Sequence, residues 1–174
     1  MIHEDLHMKY VIGFLRKDKH MLLIKRNKQP WLNKWNGVGG KIDPGESPLH
    51  AIQREIWEET TLNLKEDQLR FAGIVTWESK EADDDNTGMY AFIAELADSQ
   101  SSWPEERTIG EGILSWKTQS WIYDKKNKEI ADNVPAFLSL MMDNTTPKRY
   151  HCVFRDDKLQ EVKILPLPKL IQVP

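Results

Sequence analysis

Residues 40–62 read GKIDPGESPLHAIQREIWEETTL. Ser47 is an N-cap residue type and Pro48 suits the first helical position, so a helix starts here. It runs to about Thr61, where two β-branched threonines weaken it. Leu49, Ile52 and Ile56 share one face, fit to pack on a sheet. Glu55, Glu58 and Glu59 share another, within an arc of about 100°. Three carboxylates on one turn repel each other. Arg54 can pair with Glu58 at i,i+4, but one guanidinium does not neutralise three glutamates. A hard divalent cation, with its preference for carboxylate oxygens, does. The same glutamates also fit a solvated acidic face in a chain that is 29% charged.

The spacing around the helix separates these readings. Gly40, five residues, Glu46, seven residues, then Arg54-Glu55-Ile56, Glu58-Glu59 and Thr61-Leu62 resembles the Nudix box of hydrolases acting on nucleoside-diphosphate-linked substrates, with eight of nine specified positions matched. The departure is Thr61, where that family usually carries glycine. Glycine supplies a left-handed cap that threonine adopts poorly.

At 174 residues the chain is expected to be one domain, residues 1–174, with a sizeable core. A net charge of −3 argues against a long nucleic-acid partner, which wants a basic stripe, but not against a single nucleotide held through metal. Cys152 is the only cysteine, so no internal disulfide framework forms. MIHEDLHMKY has no basic region followed by an apolar run, and no eighteen consecutive apolar residues occur, so a soluble, cytoplasmic protein without a membrane partner is expected. His3-Glu4-Asp5-Leu6-His7 matches the HExxH zinc pattern. That site needs a buried helix and a third ligand, and here the pattern runs into a β-rich segment.

Tyr10 to Arg16 and His20 to Arg26 read as a hairpin around Lys17-Asp18-Lys19. Asn27 to Asn36 reads as a loop whose Trp31 and Trp35 are either packing residues or a stacking surface for a base. The glycines of Asn36-Gly37-Val38-Gly39-Gly40-Lys41 let backbone approach a ligand closely, so that a carbonyl such as that of Gly39 can coordinate. Leu69 to Trp77, Met89 to Leu96 and Gly112 to Thr118 read as strands. Glu78 to Gly88, with Asp83-Asp84-Asp85, and Ala97 to Gly110 read as loops. Asp132-Asn133 can cap a helix reaching about Met142, Arg149 to Arg155 and Lys158 to Leu165 form a last hairpin, and the tail 166–174 is extended. The order suggests an α+β domain: a mixed sheet with the box helix on one face and a C-terminal helix on the other. The resemblance sharpens this to the Nudix α/β/α sandwich.

That resemblance also implies a chemistry. Glu55, Glu58 and Glu59 would hold Mg²⁺, with Mn²⁺ as a substitute, together with the Gly39 carbonyl. Either Glu59 or Glu58 would be the general base, Arg54 would orient the glutamates, and Glu46 would support them. Glu111, just ahead of a strand, is placed like the loop glutamate of MutT-type 8-oxo-dGTP diphosphatases, with Glu105 and Glu106 as competitors. Trp35-Asn36-Gly37 and Gly39-Gly40-Lys41 look like the segment that sets an asparagine against the purine in that branch, making Asn36 and Lys41 candidate substrate contacts. Asp132 lies where the branch carries the first of two aspartates reading the base edge, and Asn133 departs at the second. Ile130 replaces a stacking tryptophan, with Trp31 or Trp77 as substitutes.

The leading expectation is a Mg²⁺-dependent pyrophosphohydrolase of purine nucleoside triphosphates, oxidised ones such as 8-oxo-dGTP included. The alternatives are hydrolysis of ADP-ribose or a dinucleoside polyphosphate, or a nucleotide-sensing module with little turnover. The ADP-ribose branch usually shows a proline beyond the box, and Phe71 to Trp77 has none. Sensing modules lose box glutamates, and here all three are kept. Monomer and homodimer both stay open.

Overall fold

The structure, a computed structural model, describes residues 7–28, 32–78, 87–97, 106–169 and 171. Ten strands make up its sheet. These are β1 (His7–Lys17), β2 (His20–Arg26), β3 (Trp35–Asn36), β4 (Val38–Lys41), β5 (Leu69–Glu78), β6 (Thr87–Glu95), β7 (Glu106–Ile109), β8 (Gly112–Thr118), β9 (Lys148–Arg155) and β10 (Lys158–Leu165). The helices are α1 (Pro48–Thr60), α2 (Gln119–Ile122) and α3 (Asn133–Asp143). The sheet order is β10-β9-β5-β6-β1-β2-β8-β7, with β3 paired to β2 and β4 to β1. Parallel pairs β1–β6 and β5–β9 stand among antiparallel ones, so the sheet is mixed as expected.

One departure from a flat ladder positions the site. The end of β1 pairs with β2, Leu15 opposite Leu22, but its beginning pairs with β4, from Tyr10–Lys41 to Gly13–Val38. The end of β2 turns to β3, with Ile24 opposite Asn36. Residues 35–41 therefore fill a fork between β1 and β2. Gly39 permits the close approach: a Cβ there would lie 2.0 Å from the Val11 carbonyl oxygen.

The two faces carry separate cores. α3 contributes Val134, Phe137, Leu138 and Met141 to one, against Phe14, Leu23, Val75 and Tyr150. α1 contributes Ala51, Ile52 and Ile56 to the other, against Val11, Leu15, Ile24 and Val38. Leu167 and Ile171 pack on this second core, so the described part of the tail lies along the α1 face.

Ser47 caps α1 by accepting from the His50 amide, and Pro48 takes its first turn. At the far end Thr61 does adopt the left-handed conformation, φ 62°, and its amide bonds to the Trp57 carbonyl. A β-branched residue is strained there. Thr60 helps: its hydroxyl donates to the Ile56 carbonyl and accepts from the Leu62 amide.

Two expectations need correction, and one short helix was not foreseen. The loop expected from Ala97 to Gly110 ends in strand β7, a polar edge strand joined to β8 by the two-residue turn Gly110-Glu111. α2 had no sequence signal beyond Thr118, which caps it through the Trp121 amide. Asp132 stands at the N-cap of α3 but makes no side-chain capping bond. Trp31, the HExxH motif up to Leu6, Asp83-Asp84-Asp85 and Glu105 lie outside the described residues.

Candidate active site

Two arginines divide the acidic groups between them. Arg54 grips Glu46 with both faces of its fork, Nε to Oε2 at 2.8 Å and Nη2 to Oε1 at 2.9 Å. Nη1 donates to Glu55 at 2.9 Å and reaches Glu58 at 3.3 Å, the expected i,i+4 pair, while Nη2 also bonds the Lys41 carbonyl. Glu46 in turn accepts from the Asp43 amide. Hydrogen bonding to Arg54 holds the Glu46 carboxyl below its ordinary range, and the same pairing raises the arginine. This is why Glu46 sits where the sequence places it.

The second arginine is Arg26, at the end of β2. Nη2 donates to the Gly39 carbonyl at 2.6 Å and makes a long contact of 3.4 Å with Glu59, and Nη1 donates to Glu111 at 3.1 Å. Three elements converge on it: β4, α1 and the β7–β8 turn. That turn is pinned to β2, since the Asn27 amide bonds the Glu111 carbonyl and its side chain bonds the Gly110 carbonyl. Of the two described candidates for the distant loop glutamate, Glu106 and Glu111, it is Glu111 that meets Arg26 and lines the cavity. Sequence reasoning passed over Arg26 because a basic residue closing an apolar strand looks ordinary.

The carboxyls differ in environment. Glu59 is 2% exposed and burial pushes its pKa up to about 8, with Arg26 opposing the shift. Burial also raises Glu55, against the pull of Arg54, while Glu58 stays exposed. Glu55 lies so close to the backbone that a Cβ on Gly40 would be 2.5 Å from its Oε1. Gly40 thus leaves room for the Glu55 carboxylate, which a larger residue would push aside.

Among the described residues no three acidic, histidine or cysteine side chains already converge as a metal cage. Glu55 and Glu58 are turned to Arg54, and Glu59 and Glu111 to Arg26. The donor set still fits a divalent cation. Glu59 Oε2 is buried without a hydrogen-bond partner, which leaves its desolvation uncompensated. The gathered groups are carboxylate and carbonyl oxygens, the ligands that Mg²⁺ or Mn²⁺ takes.

Beside these groups opens a cavity of about 660 Å³, in the size range of small-molecule sites. Gly39, Glu55, Glu111 and Arg26 line it, and so do Asn36, Lys28, Lys41, Trp77, Tyr10 and Met89. Asn36 is buried, its Oδ1 fixed by the Gly37 amide. Trp35 is not available for stacking on a base. It is 5% exposed, packed edge-on against Trp121 with the Lys117 ammonium 4.4 Å from its ring. Asp132 and Asn133 stand near Asn36, because Trp35 bonds to Glu129 and Ala131, but neither lines the cavity. Asp132 is exposed, and the Asn133 amide nitrogen faces Cys152 Sγ at 3.8 Å. Ile130 is buried in the α3-side core.

The comparisons with known proteins agree with this geometry. Residues 6–137 match the NUDIX domain family model. The chain belongs to the Nudix family. It is 29% identical over 130 residues to YvcI of Bacillus subtilis, an uncharacterised Nudix hydrolase, covering 74% of this chain and 75% of that one. Over 49 residues, 28% of this chain and 31% of the other, it is 45% identical to a B. subtilis protein named provisionally as an 8-oxo-dGTP diphosphatase. The crystal structure of a MutT protein from Bacillus halodurans superposes with a TM-score of 0.70, at 19% identity, covering 93% of this chain and all of that one. The protein is thus a Nudix hydrolase of the α/β/α sandwich fold, acting on phosphoanhydride bonds of nucleotide-linked substrates. Enzymes of this family generally work with a divalent metal ion. Among the described residues no helix is long and apolar enough to cross a membrane.

Proposed function

We propose that this chain is a single-domain, Mg²⁺-dependent pyrophosphohydrolase of purine nucleoside triphosphates, oxidised ones included, releasing the monophosphate and pyrophosphate. The observation that carries the reading is the shared cavity: Glu55, Glu111 and Gly39, from the acidic cluster, line one space with the candidate base-binding groups Asn36 and Trp77, while Glu58 and Glu59 are not part of that wall. The partial likeness to a protein named for 8-oxo-dGTP supports the same substrate class.

Glu55, Glu58, Glu59, Glu111 and the Gly39 carbonyl would hold the divalent ion, which when bound would supply neutralising charge at the phosphates and acidify the attacking water. Glu59 takes the proton of that water. Its buried carboxyl with one free oxygen suits the role better than exposed Glu58. Arg54 keeps Glu55 and Glu58 apart and oriented, and is itself anchored by Glu46. Lys41 and Lys28 face the polyphosphate. Asn36 offers donor and acceptor to a purine edge, and Trp77 an apolar wall. Asp132 and Asn133 have no part in this reading.

The test is a product-release assay with Mg²⁺ over dGTP, 8-oxo-dGTP, dATP, dCTP, ADP-ribose and diadenosine tetraphosphate. Pyrophosphate from purine triphosphates, strongest with an oxidised one, is the expected result. Turnover of ADP-ribose or the dinucleotide alone would keep the box chemistry and overturn the substrate class. Nucleotide binding without turnover would make the protein a sensor.

A further inference from the structure

Among the described residues, the hydrogen bonds of the Arg26 guanidinium go to groups that the proposed mechanism gives to metal: the Gly39 carbonyl, Glu59 and Glu111. Arg54 is different. Its firmest hold is on Glu46, and it also bonds the Lys41 carbonyl, neither of which is a proposed ligand. A cation held by these groups leaves Arg54 anchored but brings a second positive charge against each partner of Arg26. A guanidinium and a divalent ion cannot both occupy the space between the same three oxygens. Arg26 has somewhere to go, since it lines the cavity.

We propose that Arg26 is an internal stand-in for the cation: it holds Gly39, Glu59 and Glu111 together in the metal-free protein and is expelled when a divalent ion binds. The inference rests on the proposed metal ligands. Arg26 gives Glu59 and Glu111, 52 residues apart in sequence (111 − 59), a common partner in the fold. It also makes bare-protein cation affinity a competition. The ion must outbid a charge-assisted network, so binding is weaker than the ligand set alone would give.

The test is calorimetric titration of Mn²⁺ into the metal-free, nucleotide-free protein. Arg26→Gln is expected to bind Mn²⁺ about tenfold more tightly than wild type, the scale set by losing one or two charge-assisted hydrogen bonds. Lys28→Gln also removes a positive charge from the cavity wall, but one that contacts none of the ligands, and is expected to change affinity less than twofold. Arg26→Gln should also melt earlier than wild type in chelator and regain the difference in excess Mg²⁺. Equal or weaker Mn²⁺ binding by Arg26→Gln overturns the proposal, and so does an equal gain from Lys28→Gln. Should Arg26→Gln fail to fold, the side-chain NMR signal of Arg26 in the wild-type protein decides: it must shift on Mg²⁺ addition, and a fixed signal overturns the proposal. If wild type binds no divalent ion, the functional reading fails first. If it binds one with Arg26 unmoved, only this inference fails.

Discussion

The two arginine clusters achieve the same thing by opposite means. Arg54 gathers partners between Lys41 and Glu58, all inside one loop–helix unit. Arg26 gathers partners 13, 33 and 85 residues away, from three elements that meet only in the folded sheet. The first cluster is a local device that sets side-chain direction on one helix. The second is a tertiary device, and it encloses the most buried carboxyl of the box, Glu59. The local cluster should therefore serve geometry and stability, and the tertiary one chemistry.

The sharpest challenge to that division is Glu59→Gln. It should lower turnover by about 10³-fold, within the range for a general base, while leaving the melting curve intact or shifted upward. Glu46→Gln, in the other cluster, should cost far less turnover; an equal loss would merge the two clusters into one catalytic unit. Next in size is Arg54→Ala, which strands half-buried Glu46 and buried Glu55. A destabilisation of about 2 kcal/mol by denaturant titration is expected, less than for a fully buried pair because Arg54 keeps some solvent contact. Trp77→Ala touches neither cluster. It should raise KM for a purine triphosphate by about tenfold with kcat nearly unchanged, the scale of one base stacked on an aromatic ring. A fall in kcat instead would assign Trp77 to holding the site. The smallest effect is Thr61→Gly, expected to stabilise by ~1 kcal/mol by relieving left-handed strain at the end of α1, without changing turnover.

The same contrast explains what could be read from the chain. Ser47, Pro48, Ile52, Ile56 and the Arg54–Glu58 pair act over one or two helical turns, so spacing alone predicts where they go. The hairpins around Asp18 and Asp156-Asp157 are equally local: all three residues take positive φ, which tight turns require. Glu111 was legible by position, though its approach to Arg26 depends on the pairing of β2 with β8. Trp35 shows the limit. Nothing in its neighbours says that residues 35–41 fill a fork between two strands, and that placement turns its ring into the core rather than the cavity. Asn133 is misleading for the same reason: its helix is correctly foreseen, but the packing of α3 on β9 sends its amide towards Cys152.

The contact between Arg26 and Glu111 also has a meaning for the order of folding. The box helix and its Arg54 bonds close short loops and cost little chain entropy to form. Joining residues 26 and 111 requires β2 and β8 to have paired across everything between them, and contacts of such long range form late. An intermediate can thus carry a well-formed box with no working centre. Helix content measured during refolding should recover before divalent-cation binding does, and the interval between them would time the closure of the sheet.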